Sequence, residues 1–263
     1  MQKRFTGKKV LVTGAASGIG YEICRQFAIE GATVGLSSRN PKTTAEAAAK
    51  INAELGTSAV SPWPCDVGDC AGIVDLVHRF AAANNGLDIY MANAGITSFA
   101  PFLEETPASF DNLMAVNMKG TYFSVQAAAK EMIARQTRGR IILMSSVTGF
   151  QSHRNLSAYA MTKAATRMLA KNLADELGRH GITVNVVAPG ATTSERTVED
   201  PLYADGWTGV TPARRVGDCE DIAHSVLFLA EDKSRHITGE VIMVDGGWTT
   251  TSPLPEHLRQ QLA

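Results

Sequence analysis

Short apolar segments alternate with helix-length segments along almost the whole chain, and this alternation limits the possible folds more than any other feature. Apolar segments occupy 10–13, 33–38, about 59–64, 88–92, 140–145, 183–187 and 240–244, and helix-length segments occupy 19–30, 41–56, 69–85, 107–135, 156–178 and 218–230. Neighbouring parallel strands need a connection long enough to hold a helix, whereas antiparallel strands can be joined by tight turns. The pattern therefore predicts an α/β fold, with a doubly wound sheet of about seven parallel strands and helices on both faces.

No linker, repeat or charged block interrupts this alternation over the 263 residues. A chain of this length can bury most of its apolar surface around one core. We therefore expect 1–263 to form one domain, with 249–263 as a tail that is held less firmly than the rest. In doubly wound sheets, ligands bind outside the carboxyl ends of the strands, so the candidate site is built from residues that directly follow strands.

The charge balance and the cysteine spacing argue against several kinds of function. The chain has 25 basic and 26 acidic residues, a net charge of −1, so no nucleic acid or anionic membrane is expected as a partner. No CxxC spacing occurs among the four cysteines, and His153 lacks a partner at metal-ligand spacing, so no metal site is expected. Because no secretory signal and no apolar segment of the ~20 residues that cross a bilayer is found, we expect a cytoplasmic protein.

The turn after the first apolar segment has the composition of a phosphate-binding loop. It reads TGAASGIG and follows a strand and opens a helix, which is the context that a dinucleotide-binding turn requires. Glycines permit the chain reversal and the close approach of an anion, and the helix N-terminus offers unpaired N–H groups. An ordinary tight turn between a strand and a helix is the alternative. The candidate cofactor-binding residues here are Gly14, Ser17, Gly18, Ile19 and Gly20.

The end of the second strand indicates which dinucleotide is bound. A carboxylate at this point would bind the ribose 2′-hydroxyl of NAD, but the chain reads Ser37, Ser38 and Arg39. The guanidinium of Arg39 suits a 2′-phosphate, and the hydroxyl of Ser38 is a further donor. The sequence therefore favours NADP(H) over NAD(H), although Arg39 could also be a solvated surface charge.

Tyr159 and Lys163 are four residues apart in a helix-compatible segment, so they lie on one helix face. A nearby ammonium favours the ionised form of a phenol, which would let Tyr159 exchange a proton with a substrate. Ser146 directly follows the fifth apolar segment, so its hydroxyl is expected at the ligand-binding edge of the sheet. Taken alone, such residues are more often structural than catalytic.

These features together resemble the short-chain dehydrogenase/reductase family, in its common, shorter type, and the resemblance covers nearly the whole chain. The turn resembles the family's TGxxxGxG motif, and 215–217, 221–223 and 244–247 resemble its C-terminal signature. The other matching residues are Asp66 and Val67 of the adenine-contacting pair, Asn93, Ala94 and Gly95 of the NNAG segment, Asn117, Ser146, Tyr159 and Lys163 of the catalytic set, and Pro189, Gly190, Thr192 and Ser194 of the nicotinamide-contacting turn. Two departures are Ala92 in place of the first Asn of NNAG and Ser194 in place of the usual threonine.

The resemblance implies a Rossmann-like fold and a hydride-transfer reaction between a nicotinamide cofactor and a carbonyl or secondary alcohol. Tyr159 is then the general acid or base, and Ser146 orients and polarises the reacting oxygen. Lys163 assists Tyr159 and binds the nicotinamide ribose, while Asn117 holds a water that links Lys163 to solvent. The family position also implies a substrate lid at about 194–212 and a homotetramer.

The substrate is expected to be a small free molecule such as a ketone, sugar or polyol. One alternative is a 3-oxoacyl-(acyl-carrier-protein) reductase, but the family's docking arginines are replaced by Thr137 and His180. A protein of another class, a catalytically silent nucleotide sensor, would keep the cofactor turn without catalysis. The presence of Ser146, Tyr159 and Lys163 argues against a sensor.

Overall fold

A seven-stranded sheet forms the centre of the computed structural model, which describes residues 3–195 and 197–251. The strands are β1 (Lys9–Val12), β2 (Thr33–Leu36), β3 (Val60–Pro62), β4 (Ile89–Ala92), β5 (Arg140–Met144), β6 (Thr183–Pro189) and β7 (Val241–Val244). All neighbouring pairs are parallel, and the spatial order is β3-β2-β1-β4-β5-β6-β7. The predicted doubly wound α/β fold is confirmed, and each predicted strand overlaps an observed one.

Helices connect the strands. They are α1 (Gly18–Ile29), α2 (Pro41–Leu55), α3 (Cys70–Ala83), α4 (Pro107–Met114), α5 (Thr121–Ala134), α6 (Ser157–Gly178), α7 (Tyr203–Val210) and α8 (Cys219–Ala230). The helical stretch predicted at 107–135 is divided, because a π-helical turn at Ala115–Gly120 separates α4 from α5. Within the part of the chain that the structure describes, no helix combines the length and the apolar character needed to cross a membrane.

Two apolar layers flank the sheet. Val10 and Val12 of β1 face α1, α2 and α8, whereas Leu11 between them faces α3, α5 and α6. This division follows from the alternation of side chains along a strand. Since β1 has β2 on one side and β4 on the other, the order of the strands reverses between β1 and β4, and a crevice opens there at the carboxyl ends.

The start of α8 is held by two acidic side chains and one arginine. Asp218 and Asp221 form a capping box, each accepting a hydrogen bond from the other's backbone N–H, and Arg215 donates two hydrogen bonds of 2.6 Å to the Asp221 carboxylate. These donors lower the pKa of Asp221 to about 2 from its ordinary 3.8. The charged form is therefore favoured in the folded protein.

We expect Asp221→Asn to lower the stability of the fold at neutral pH, because the neutral amide loses the charge-assisted pair of hydrogen bonds from Arg215. The Asp221 contribution is fully present above pH 3.8 and is lost as the pH falls through about 2. Thermal unfolding at pH 7 and at successively lower pH should show the difference from the wild type shrinking below pH 4. Asp75→Asn, which breaks an exposed pair with Arg79 on α3, is the control and should have a smaller effect at pH 7.

Candidate active site

A cleft of about 760 Å³ lies along the carboxyl ends of the strands, at the reversal between β1 and β4. The structure brings nearly all of the predicted site residues to its walls. These are Gly14, Ser17, Gly18, Ile19, Gly20, Ser38, Arg39, Asp66, Val67, Asn93, Ala94, Gly95, Ser146, Tyr159, Lys163, Pro189, Gly190, Thr192 and Ser194. Asn117, the remaining predicted residue, lies just behind the wall and is 4% exposed.

The turn between β1 and α1 is packed tightly on the loop after β4. Gly14 has a φ of +64°, and a Cβ at this position would lie 2.6 Å from the Ala94 Cα. A Cβ on Gly20 would lie 2.5 Å from the Gly14 carbonyl oxygen, and the Asn93 amide donates to that oxygen at 2.9 Å. These two glycines are therefore required by close backbone packing.

Gly18 differs from its neighbours because its open side faces the cleft. A Cβ there would meet no atom closer than 3.7 Å. Gly18 begins α1, where backbone N–H groups have no partner within the helix and favour an anion. The shape and polarity of the turn thus fit a phosphate group.

Arg39 also lines the cleft, and its side chain is exposed. It follows β2, whose end is bonded to the glycine-rich turn through the hydrogen bond of 2.9 Å from the Ala15 N–H to the Ser37 carbonyl. Among the residues that the structure describes, no carboxylate lies within 4.0 Å of its guanidinium. Asp66 and Cys65 line the wall beside it. Burial, with the charges of Asp69 and Asp66, raises the pKa of the Cys65 thiol to about 11, so this thiol is neutral at pH 7.

The second turn of α6 is fixed to the end of β5 by hydrogen bonds. The buried Lys163 Nζ donates to the Met144 carbonyl at 2.9 Å, and the Ser145 hydroxyl donates to the Lys163 carbonyl at 2.7 Å. The same ammonium lies 5.5 Å from the centre of the Tyr159 ring. The Ser146 hydroxyl accepts from the Thr148 N–H at 3.2 Å, which leaves its own hydrogen available to a ligand. Three polar side chains thus meet at one end of the cleft.

Asn117 lies on the π-helical turn and connects the loop after β4 with α6. Its amide oxygen accepts from the Ile96 N–H at 2.9 Å, and its amide nitrogen donates to the Ile96 carbonyl at 2.9 Å and to the Thr162 hydroxyl at 3.2 Å. A Cβ on Gly95 would lie 3.3 Å from Lys163 Nζ and 3.4 Å from the Asn117 oxygen. A larger residue at position 95 would therefore press on both polar groups.

Glu195 contacts the glycine-rich turn, which the sequence analysis did not predict. Its carboxylate accepts a hydrogen bond of 2.9 Å from the Gly18 N–H. Glu195 falls within the expected substrate lid, and its contact with Gly18 was not predicted because the two residues are 177 positions apart in the sequence. The cleft is also lined by Thr197, Asp200 and Tyr203 from the same segment.

The segment that contains α7 is attached to the rest of the protein by aromatic rings. Trp207 of α7 lies 5.2 Å from Trp248 and 5.9 Å from His153, measured between ring centres. Burial lowers the pKa of His153, which favours its neutral ring. The Tyr203 hydroxyl accepts from the Thr192 N–H at 3.2 Å. The expected lid at about 194–212 thus includes a helix that is anchored at its first residue, Tyr203, and in its middle, at Trp207.

A doubly wound sheet with an anion-binding turn and converging Ser, Tyr and Lys side chains in one cleft has the construction of a nucleotide-dependent oxidoreductase. Comparisons with known proteins agree. A family profile described as enoyl-(acyl carrier protein) reductase matches residues 14–249. The chain is 36% identical to gluconate 5-dehydrogenase from Gluconobacter oxydans over 249 residues, covering 94% of this chain and 96% of that protein.

Two further proteins resemble it over nearly their whole length. The 3-oxoacyl-[acyl-carrier-protein] reductase FabG of Staphylococcus aureus is 36% identical, covering 91% of this chain and 97% of that protein. A solved structure of a gluconate 5-dehydrogenase from Burkholderia cenocepacia in complex with NADP and tartrate has a TM-score of 0.88 at 33% identity, covering 95% of this chain and 98% of that one. The protein belongs to the short-chain dehydrogenase/reductase family and is an oxidoreductase.

Proposed function

We propose that the protein interconverts a small free ketone or sugar and the corresponding secondary alcohol, with NADP(H) as the preferred cofactor. The observation that carries the proposal is the convergence of Ser146, Tyr159 and Lys163 in the cleft that contains the anion-binding turn. The gluconate 5-dehydrogenase relatives support a sugar acid or polyol as the substrate class. The described part of the chain is built around one seven-stranded sheet, which supports a single dinucleotide-binding and catalytic domain.

Each side chain has a distinct part in the proposed reaction. The cofactor's nicotinamide, when bound, would supply or accept the hydride. The Tyr159 hydroxyl gives its proton to the carbonyl oxygen during reduction, and in its deprotonated form the same oxygen takes a proton from the alcohol during oxidation. Ser146 donates a hydrogen bond to the reacting oxygen of the substrate, because its hydroxyl hydrogen has no acceptor among the residues that the structure describes. Lys163 donates one of its three Nζ hydrogens to the Met144 carbonyl, and the other two are available to a ligand in the cleft.

Asn117 has a mainly positional role in this proposal. Both of its amide hydrogens are engaged, one by Ile96 and one by Thr162. The water expected next to Lys163 would therefore be bound by an oxygen of Asn117 and not by its amide hydrogens. The side chain also holds Ile96 beside the substrate end of the cleft.

A titration and a substrate screen test the proposed function. NADPH and NADH are titrated by fluorescence, and ketones, sugars, polyols and a free 3-oxoacyl thioester are then assayed for turnover. We expect binding of NADPH and turnover of at least one small carbonyl compound. Cofactor binding without turnover of any compound would favour a nucleotide sensor. Absence of binding to either dinucleotide would contradict the proposal.

Arg39→Gln should weaken NADPH binding by at least tenfold, about 1.4 kcal/mol, and leave NADH binding unchanged. The reason is that Arg39 is a cation at the end of β2 without a carboxylate partner among the described residues, as a 2′-phosphate would require. Fluorescence titration of both cofactors measures the change. Lys42→Gln is the control, since Lys42 is an exposed cation nearby on α2 and should not discriminate between the cofactors. Equal losses for NADPH and NADH would contradict the role of Arg39.

The FabG relative favours a second candidate function, the reduction of 3-oxoacyl groups on a carrier protein. Thr137 and His180, which replace the family's docking arginines, precede β5 and β6. They therefore lie near the amino ends of these strands, whereas the cleft lies at the carboxyl ends. A comparison of carrier-bound and free 3-oxoacyl thioesters decides between the candidates, and a preference for the carrier-bound form would support the second.

We also propose a homotetramer, which α5 and α6 would help to assemble. Four large hydrophobic side chains on these helices are exposed in the single chain: Tyr122 at 48%, Phe123 at 36%, Met161 at 59% and Met168 at 58%. Burial of such side chains between subunits would be favourable. Light scattering during size-exclusion chromatography measures the mass, and a monomer would contradict this proposal.

A further inference from the structure

Glu195 occupies the position on the glycine-rich turn that a bound phosphate would take. Its Oε2 atom is 2.9 Å from the Gly18 nitrogen and 3.7 Å from the place of a Cβ on Gly18. The Ser194 Cβ lies at the same 3.7 Å on this open side of the turn. A carboxylate is thus bound by the helix N-terminus that favours anions.

The Gly18 N–H cannot serve this carboxylate and a pyrophosphate at the same time. A phosphate that approaches the turn would also be repelled by the negative charge of Glu195 at short range. The surroundings of the turn already carry negative charge. Burial, together with the charges of Glu195, Glu22 and Asp218, raises the pKa of the nearby Cys219 thiol to about 11. Departure of Glu195 from the turn relieves both conflicts.

The residues that precede Glu195 in the chain are connected to the remainder of the lid by hydrogen bonds. The Ser194 N–H donates to the Thr197 hydroxyl at 2.8 Å, and the Thr192 N–H donates to the Tyr203 hydroxyl at 3.2 Å. Tyr203 is the first residue of α7, and its ring lies 6.3 Å from that of Trp207. A displacement of Glu195 is therefore transmitted to the start of α7.

We propose that Glu195 competes with the dinucleotide pyrophosphate for the Gly18 N–H, so that cofactor binding displaces Glu195 and moves the lid. This inference rests on the proposed function, because it assumes that the turn binds a dinucleotide. It makes Glu195 a determinant of cofactor affinity that also couples occupation of the cofactor site to the position of the substrate lid. The free protein then has its lid held by the turn.

Three substitutions separate the contact from the charge. Glu195→Gln keeps the length of the side chain and removes the charge, whereas Glu195→Asp keeps the charge and shortens the reach to Gly18. Glu195→Ala removes both. Glu199→Gln, an exposed carboxylate in the same segment, is the matched control. Thermal unfolding of every variant verifies that it is folded.

The probes are NADPH, ADP and adenosine 2′-monophosphate, of which the last has no pyrophosphate. We expect ADP and NADPH to bind at least fivefold more tightly to all three Glu195 variants than to the wild type, with Glu199→Gln unchanged. Adenosine 2′-monophosphate should bind equally to all proteins. ADP should also change the tryptophan emission of the wild type, because Trp207 is in the moving segment.

Other outcomes overturn the inference in distinguishable ways. If Glu195→Asp binds ADP like the wild type while Glu195→Gln binds more tightly, long-range charge and not the contact sets the affinity. Unchanged or weaker binding in all variants contradicts the competition, and unchanged tryptophan emission contradicts the lid movement. These results leave the proposed function intact, whereas a wild type that binds neither NADPH nor NADH removes the proposed function itself.

Discussion

Tyr159→Phe should reduce turnover by a factor of about 10²–10⁴ and leave NADPH affinity close to that of the wild type. The substitution removes one oxygen atom, and with it the only proton that the proposal assigns to the reacting carbonyl. The ring remains, so its packing beside Lys163, at 5.5 Å from the ammonium, should be retained. Steady-state kinetics on the best substrate from the screen, together with NADPH titration, measure both quantities.

Tyr203→Phe is the matched control, because Tyr203 is a second tyrosine that lines the same cleft. Its hydroxyl accepts a hydrogen bond from the Thr192 backbone and has no assigned proton transfer. We expect this variant to keep most of its turnover. If the Tyr159 variant retained as much turnover as the Tyr203 variant, Tyr159 would not be the acid or base.

Gly14→Ala should abolish detectable dinucleotide binding and lower the free energy of unfolding by about 1–3 kcal/mol through overpacking, in addition to the strain at its positive φ. The new methyl group would lie 2.6 Å from the Ala94 Cα. Both contacting atoms are close to the backbone, so the overlap is relieved only if the turn moves away from the loop after β4. That movement displaces Gly18 and the start of α1. Chemical denaturation and NADPH titration measure the two effects.

Gly56→Ala controls for the backbone strain. Gly56 ends α2 with a φ of +60°, close to the +64° of Gly14, but a Cβ there would meet no atom within 4 Å. The two variants therefore share the cost of an alanine in the left-handed region and differ in the steric overlap. Equal stability and equal NADPH affinity in the two variants would show that the packing of Gly14 on Ala94 is unimportant.

Local patterns were sufficient to predict the sheet and most of the helices. Each strand is a short run of buried residues, as in β5, where all of Arg140–Met144 is buried, and such runs are visible in the sequence itself. The glycine-rich turn was predicted for a similar reason, since its chemistry is contained in eight consecutive residues. The site residues that directly follow strands could be predicted for the same reason, because their position depends only on where the neighbouring strand ends.

Features that depend on distant contacts were not predicted. Helix α7 has only eight residues and includes Gly206 and Gly209, which disfavour a helix, so its stability depends on the packing of Trp207 against Trp248 and His153. The hydrogen bond from Gly18 to Glu195 joins the two ends of the cleft's rim, and no local pattern signals it. The three hydrogen bonds of Asn117 likewise involve partners on other elements.

The π-helical turn at Ala115–Gly120 has a consequence for the dimensions of the cleft. At one end, a Cβ on Gly120 would overlap the carbonyl oxygen of Val67, which lines one half of the cleft. In its middle, Asn117 is bonded to Ile96 and Thr162 beside the catalytic half. One six-residue piece of backbone thus acts as a spacer between the two halves. Loss of a single residue from it would rotate α5 by about 100° relative to α4 and shift Asn117 relative to Gly120 and Val67.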